Sequence, residues 1–188
     1  MKTENRCGWS GGDALMQEYH DKEWGVPVHD ERKLFEHLIL DGAQAGLSWR
    51  TILYRREGYR KAFLNFDAKK VARFTARDAA RLLKDPGIIR NRAKIRSAIA
   101  NAKAFLATQK EFGTFDKYIW SFVSPKKKGK RVKSFRELPA TSPESDAMSK
   151  DLKKRGFSFV GSTICYAFMQ ASGMVDDHQA DCFRIKKS

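Results

Sequence analysis

Cys7 and His20 stand near one end of the chain, and His178 and Cys182 near the other. Thiolates and imidazoles in such pairs are the usual ligands of four-coordinate zinc. One shared ion would clip the two ends together. Chance placement of two cysteines and two histidines gives the same spacing, because a Cys-x12-His pair is looser than a double CxxC. A second constellation overlaps the first. Trp9, Tyr19, Trp24 and Trp49 crowd the first 49 residues together with Asp41. Aromatic faces attract cations and stack on bases. A carboxylate among them suits a flat, electron-poor ring, and enzymes that act on a base must first extrude it into such a slot. Tryptophans that fill a core, with Asp41 on a solvated helix face, are the plainer alternative.

A third feature is a turn. Asp85-Pro86-Gly87-Ile88-Ile89-Arg90 lies between two helical patterns. Amides at the start of the following helix form a phosphate-binding arrangement, with Arg90, Arg92 and Lys94 alongside. The pattern is similar to a helix-hairpin-helix, which grips a DNA backbone without reading sequence. It lacks a second glycine, since Ile89 occupies that place, and an ordinary helix turn ended by glycine remains open. Gly46 and Leu47 suit a loop that approaches DNA closely and wedges into the base stack.

These residues need a frame, and the frame reads as all-α. Leu34, Phe35, Leu38 and Ile39 recur at helical spacing behind the capping candidate Asp30. Ser48 is expected to cap a helix from Trp49 to about Phe63, and Asp67 a short one. Thr75 with Asp78 resembles a capping box for residues 76–84. Ile95, Ala98, Ile99, Ala102 and Leu106 mark one face of a long helix. Further helices are expected over 116–123, from Pro143 to Arg155, and over the apolar stretch 159–171, which would bury Cys165 as a small hydrophobe. No period-two alternation calls for strands. Ser124 to Lys133 is polar and basic and reads as an exposed, mobile loop.

The chain has 188 residues, enough for one domain or two interleaved lobes. If there are two lobes, residues 1–40 with 115–188 form the one clipped by the metal, and 41–114 the other. Three cysteines do not make a disulfide framework. No segment reads as a membrane span or signal peptide, so a soluble, cytoplasmic protein is expected. The net charge of +15 points first to nucleic acid as partner, with a solvated basic surface as the alternative. No acidic metal-binding cluster suggests a nuclease.

Five segments together resemble one family: Arg6-Cys7-Gly8-Trp9, Tyr19 to Pro27, Gln44 to Trp49, Lys153 to Gly161, and Asp177-His178. The chain is similar over nearly its whole length to the 3-methyladenine DNA glycosylase I family. The resemblance implies a helical fold of the helix-hairpin-helix glycosylase superfamily. It implies a structural zinc on Cys7, His20, His178 and Cys182, a base pocket at Trp9, Tyr19, Trp24, Asp41 and Trp49, and DNA contacts at Gly46, Leu47, Pro86, Gly87, Ile88 and Arg90. The implied reaction is monofunctional hydrolysis of the glycosidic bond of 3-methyladenine in duplex DNA, with Asp41 binding the base; a monomer fits an enzyme that scans for lesions. One departure bears on this: a well-known member of the family carries glutamate where this chain has Asp41, one methylene shorter. A zinc-stabilised binder of damaged DNA without turnover is the alternative. Asp116, a candidate to assist water attack, is better read as a helix cap, and Lys94 is an amine available for lyase chemistry.

Overall fold

The computed structural model describes residues 5–124 and 131–185. Its regular elements are helices, and no strand occurs among the described residues. They are α1 (Ala14–Lys22), α2 (Glu31–Gln44), α3 (Trp49–Leu53), α4 (Arg56–Ala62), α5 (Ala68–Val71), α6 (Ala76–Leu82), α7 (Arg92–Phe112), α8 (Phe115–Trp120), α9 (Pro143–Lys154) and α10 (Ser162–Ala171). Short 3-10 turns at Gly8–Ser10, Leu64–Phe66 and Phe135–Glu137 join them.

Side-chain caps set most of the starts. Asp30 accepts from the Lys33 amide, Ser48 from Thr51 and Asn91 from Lys94, so orphan N–H groups at each first turn are satisfied locally. Thr75 and Asp78 form the reciprocal capping box expected for α6, and Ser142 forms one with Ser145 ahead of Pro143. α1 lies outside the helices expected from apolar periodicity. Asp13 starts it by accepting from the amides of Leu15 and Met16.

Several expected helices are shorter in the structure. The span from Trp49 to about Phe63 breaks at Tyr54–Arg55 into α3 and α4. Leu53 belongs to the cluster at the chain ends, whereas Ile52, Tyr59 and Ala62 belong to the main core. One straight helix would not direct both sets inward. The stretch expected from Phe159 enters its helix only at Ser162. Asn101 binds both the amide and the carbonyl of Ser158, and the Val160 carbonyl accepts from the Ser149 hydroxyl and the Cys165 thiol. Those backbone groups are committed elsewhere, and Phe159 takes a left-handed φ of 56°. The helix expected over 116–123 runs Phe115–Trp120. Cys165 is buried as expected.

The main core runs through α2 to α10, with Phe35, Phe63, Phe66, Phe105, Phe115 and Phe168 fully buried. A second cluster, of Cys7, Met16, Tyr19, Trp24, Leu53 and Cys182, lies against Trp9 and Trp49. Most of the expected basic loop, residues 125–130, falls outside the described residues. Its far end is anchored: Arg131 pairs with Asp176, and the carbonyls of Val132 and Lys133 accept from the Ala180 amide and the Gln179 side chain.

The turn between α6 and α7 is held from behind by α4. The Tyr59 hydroxyl accepts from the Ile89 amide at 3.2 Å, and Asp85 accepts from the Gly87 amide at 2.8 Å. A Cβ on Gly58 would fall well inside contact distance of the Gly87 carbonyl, backbone against backbone. Alanine normally stabilises a helix interior relative to glycine by about 1 kcal/mol. Here Gly58→Ala is expected to destabilise by at least about 2 kcal/mol, because neither backbone can give way easily. Urea unfolding gives the sign; a stabilised variant would mean that the two segments do not touch.

Candidate active site

The four cysteine and histidine side chains converge. All are buried, and their ligand atoms lie within 4.8 Å of one another. Cys7 Sγ is 3.5 Å from His178 Nδ1, and Cys182 Sγ is 3.4 Å from His20 Nε2 and 3.5 Å from His178 Nδ1. A tetrahedral ion with sulfur at about 2.3 Å and nitrogen at about 2.05 Å separates those atoms by about 3.5 Å, so the donor set fits zinc. The surroundings match a metal site. His20 Nδ1 meets Asp21 Oδ1 at 2.8 Å, and Asp21 is gripped by Arg6. A ligating imidazole is commonly oriented by such a carboxylate on its other nitrogen. Burial raises the Cys7 thiol to about 12 and lowers the His178 imidazole to about 4.

The aromatic cluster grows out of these ligands. Trp24 lies edge-on to His178 at 4.8 Å and near-parallel to His20 at 6.3 Å, and Trp9 lies edge-on to His20 at 5.4 Å. Trp9 meets Trp24 and Tyr19 edge-on, and Tyr19 leans on Trp49 at 5.1 Å. Between these rings and α2 opens a cavity of about 470 Å³. Trp9, Tyr19, Trp24, Asp41 and Trp49 all line it, so the five residues singled out for a base pocket share one cavity. The sequence reading did not single out Asp13, Met16, Gln44, Arg50 and Gln170, which line it too. The one local sign was Asp13 itself, an N-cap residue just after Gly11-Gly12.

Asp41 is 2% exposed, and its Oδ2 has no hydrogen-bond partner. Burial alone holds its carboxyl well above the ordinary range. Burial and then the neighbouring Asp41 raise the Tyr19 hydroxyl as well. The indole N–H groups of Trp9 and Trp49 are also buried without partners. Buried polar groups are nearly always paired, so three unpaired ones around a single cavity mark a place prepared for a ligand.

The other expected residues lie around the cavity or apart from it. Gly46 takes a left-handed φ of 74°, and Leu47 beside it is 41% exposed, an apolar tip presented to solvent. Lys94 Nζ donates to the carbonyls of Ala43 and Ala45 at 2.7 Å each, which ties the first turn of α7 to the start of that loop. The lysine is thus a brace, with two of its three N–H groups committed. Pro86 and Arg90 are exposed, whereas Ile88 is buried, so its side chain is turned away from solvent. Asp116 pairs with His29 at 2.8 Å and does not line the cavity.

A crystal structure of 3-methyladenine DNA glycosylase I matches this fold with a TM-score of 0.92 at 49% identity, covering 96% of this chain and 99% of that one. The fold class is therefore that of the helical DNA glycosylases. A structure of 3-methyladenine DNA glycosylase I from Staphylococcus aureus, solved for the basis of 3-methyladenine recognition, matches with a TM-score of 0.92 at 36% identity over 98% of both chains. In sequence, a DNA-3-methyladenine glycosylase of Haemophilus influenzae is 51% identical over 94% of this chain and 96% of its own length. The family model for methyladenine glycosylase matches residues 9–185, and the chain belongs to that family.

Proposed function

We propose that this protein excises 3-methyladenine from alkylated duplex DNA, leaving an abasic site for base-excision repair. The observation that carries the reading is the buried carboxylate of Asp41, with a free oxygen, beside the aromatic cavity. Adenine methylated at N3 is a cation. Entering the cavity, it supplies the counter-charge that Asp41 lacks, and the surrounding ring faces favour it over neutral adenine. Asp41 accepts from the amino edge of the base, and Trp49 stacks on the ring with Trp9 and Tyr19 at its borders. Selectivity follows, because neutral adenine leaves Asp41 either protonated or uncompensated.

The positive charge already weakens the glycosidic bond. The C1′–N9 bond breaks and its electron pair neutralises the departing base. Water forms the new C1′–O bond and releases its proton to solvent. The Leu47 tip wedges the stack from which the base is flipped. The α6–turn–α7 unit serves as a helix-hairpin-helix, its backbone and Arg90 holding phosphates. Residues 41–114 act as the DNA-gripping lobe against a terminal lobe of 1–40 with 115–188. Zinc on Cys7, His20, His178 and Cys182 is structural, since four protein ligands leave no position for a reacting water. The protein is read as a cytoplasmic monomer. No described helix is long and apolar enough to cross a membrane.

The test is base release from methylated duplex DNA, with the freed bases separated and identified. 3-Methyladenine is expected as the main product, with no strand cleavage. Binding of the same duplex without any released base would transfer the assignment to a damage-binding protein.

A further inference from the structure

We propose that Arg50 is a preorganised phosphate ligand at the mouth of the cavity, holding a backbone phosphate that flanks the extruded nucleotide. This rests on the reading of the cavity as the base pocket. Arg50 follows Trp49 in α3, and both line the cavity. It is the only cation among the described residues lining it. The lining residues that are solvent-exposed, and so form the rim, are Gly11, Gly12, Ser48 and Arg50. A base can enter only if its sugar and adjoining phosphates stay at that rim. The rim admits a close approach there, since nothing lies within 4 Å of where a Gly12 Cβ would stand.

The arginine is asymmetrically committed. Its side chain is 65% exposed, but the carboxylate it meets, Asp13, is only 6% exposed. Nε donates to Asp13 Oδ2 at 2.6 Å, and the Tyr54 hydroxyl donates to the same oxygen at 3.1 Å. Asp13 Oδ1 already accepts from two amides of α1. The guanidinium lies over the Tyr54 ring, 5.6 Å from its centre. The carboxylate is thus well satisfied by α1 and Tyr54 and uses only one edge of the arginine. The bond to Asp13 runs through Nε, and the side chain as a whole stays largely exposed. An exposed ion pair formed for stability contributes little. An arginine aimed through Nε has already lost its rotamer freedom, and its outer N–H groups suit the oxygens of a phosphate.

The experiment compares wild type with Arg50→Gln and Arg50→Lys. Affinity for a duplex carrying a tetrahydrofuran abasic analogue is measured against salt, and affinity for free 3-methyladenine by tryptophan fluorescence. Free base has no phosphate. Arg50→Gln is expected to weaken duplex binding about tenfold at low salt and to reduce the salt slope by about one. Free-base affinity should stay within about twofold, and Arg50→Lys should recover part of the duplex affinity but not all of it. An unchanged salt slope would overturn the proposal. So would a parallel loss of free-base affinity, which would make Arg50 a wall of the cavity acting through Asp13. Wild type that binds the duplex but not the free base would instead overturn the cavity assignment, and the role of Arg50 with it.

Discussion

Asp41→Asn is expected to lower single-turnover release of 3-methyladenine on the order of a hundredfold, while raising the thermal stability of the free protein. The two effects have one cause. Asp41 is buried, its Oδ2 is unpaired, and burial raises its carboxyl well above the usual range. In the unfolded chain the same group ionises near pH 4. Between that pH and the raised folded value, the folded protein holds a proton that the unfolded chain releases. Stability therefore falls as pH rises through this window. Asparagine does not titrate, so the variant lacks that loss and should melt higher than wild type near neutral pH, with the difference closing toward pH 4. The bound cationic base reverses the balance for wild type. It favours the ionised carboxylate, so base binding should release a proton from Asp41 and tighten as pH rises. Base release and melting of both proteins across this pH range give the answer. Unchanged release by the asparagine protein would remove Asp41 from the pocket. Unchanged melting would mean that the carboxyl is not isolated as the geometry has it.

The legible parts of the chain are those decided by local chemistry. Thr75 with Asp78, Pro143 at its helix start, and the apolar face of Ile95, Ala98 and Ala102 set helices without help from distant residues. The cysteine–histidine cluster was legible for a different reason: Cys7 and Cys182 are two of only three cysteines, so few sets were possible. What failed was decided across the fold. The break at Tyr54–Arg55 comes from two clusters competing for adjacent side chains. The late start of α10 comes from Asn101 and Ser149, which take backbone groups of residues 158–160. Neither partner is near in sequence. The aromatic members of the cavity and Asp41 could be picked by type, but Asp13 and Arg50 could not. The neighbour of Arg50 in sequence, Trp49, gives no sign that Asp13 lies across the rim, and one arginine among 37 basic residues is indistinct. Gly58 was hidden likewise, because only its contact with Gly87 gives it meaning.

Loss of the metal is expected to abolish base binding while leaving most of the helical structure intact. The protein as isolated should carry about one zinc per chain, measured by atomic emission, and Cys182→Ala should carry none. The main core contains none of the four ligands, so α2 and α4 to α10 have their own reason to stay folded. The end cluster is different: Cys7 and Cys182 are two of its six buried members, and His20 and His178 abut Trp9 and Trp24. Without an ion, the segments 5–10 and 176–185 lose their link at the four converged side chains and keep the Phe183 amide on the Asn5 carbonyl, the Gly8 amide on the Gln179 side chain, Asn5 on Asp181 and Arg6 over the Phe183 ring. Trp9 and Trp24 would then lose their support, and the cavity its far wall. Far-ultraviolet circular dichroism should change little on chelation, while near-ultraviolet dichroism and tryptophan fluorescence shift and affinity for free 3-methyladenine falls beyond detection. Restoring zinc should restore all three. A protein without bound zinc that retains its near-ultraviolet spectrum and base affinity would show that the four side chains pack as an ordinary core. Global unfolding on chelation would show instead that the end cluster supports the main core, contrary to the separation drawn here.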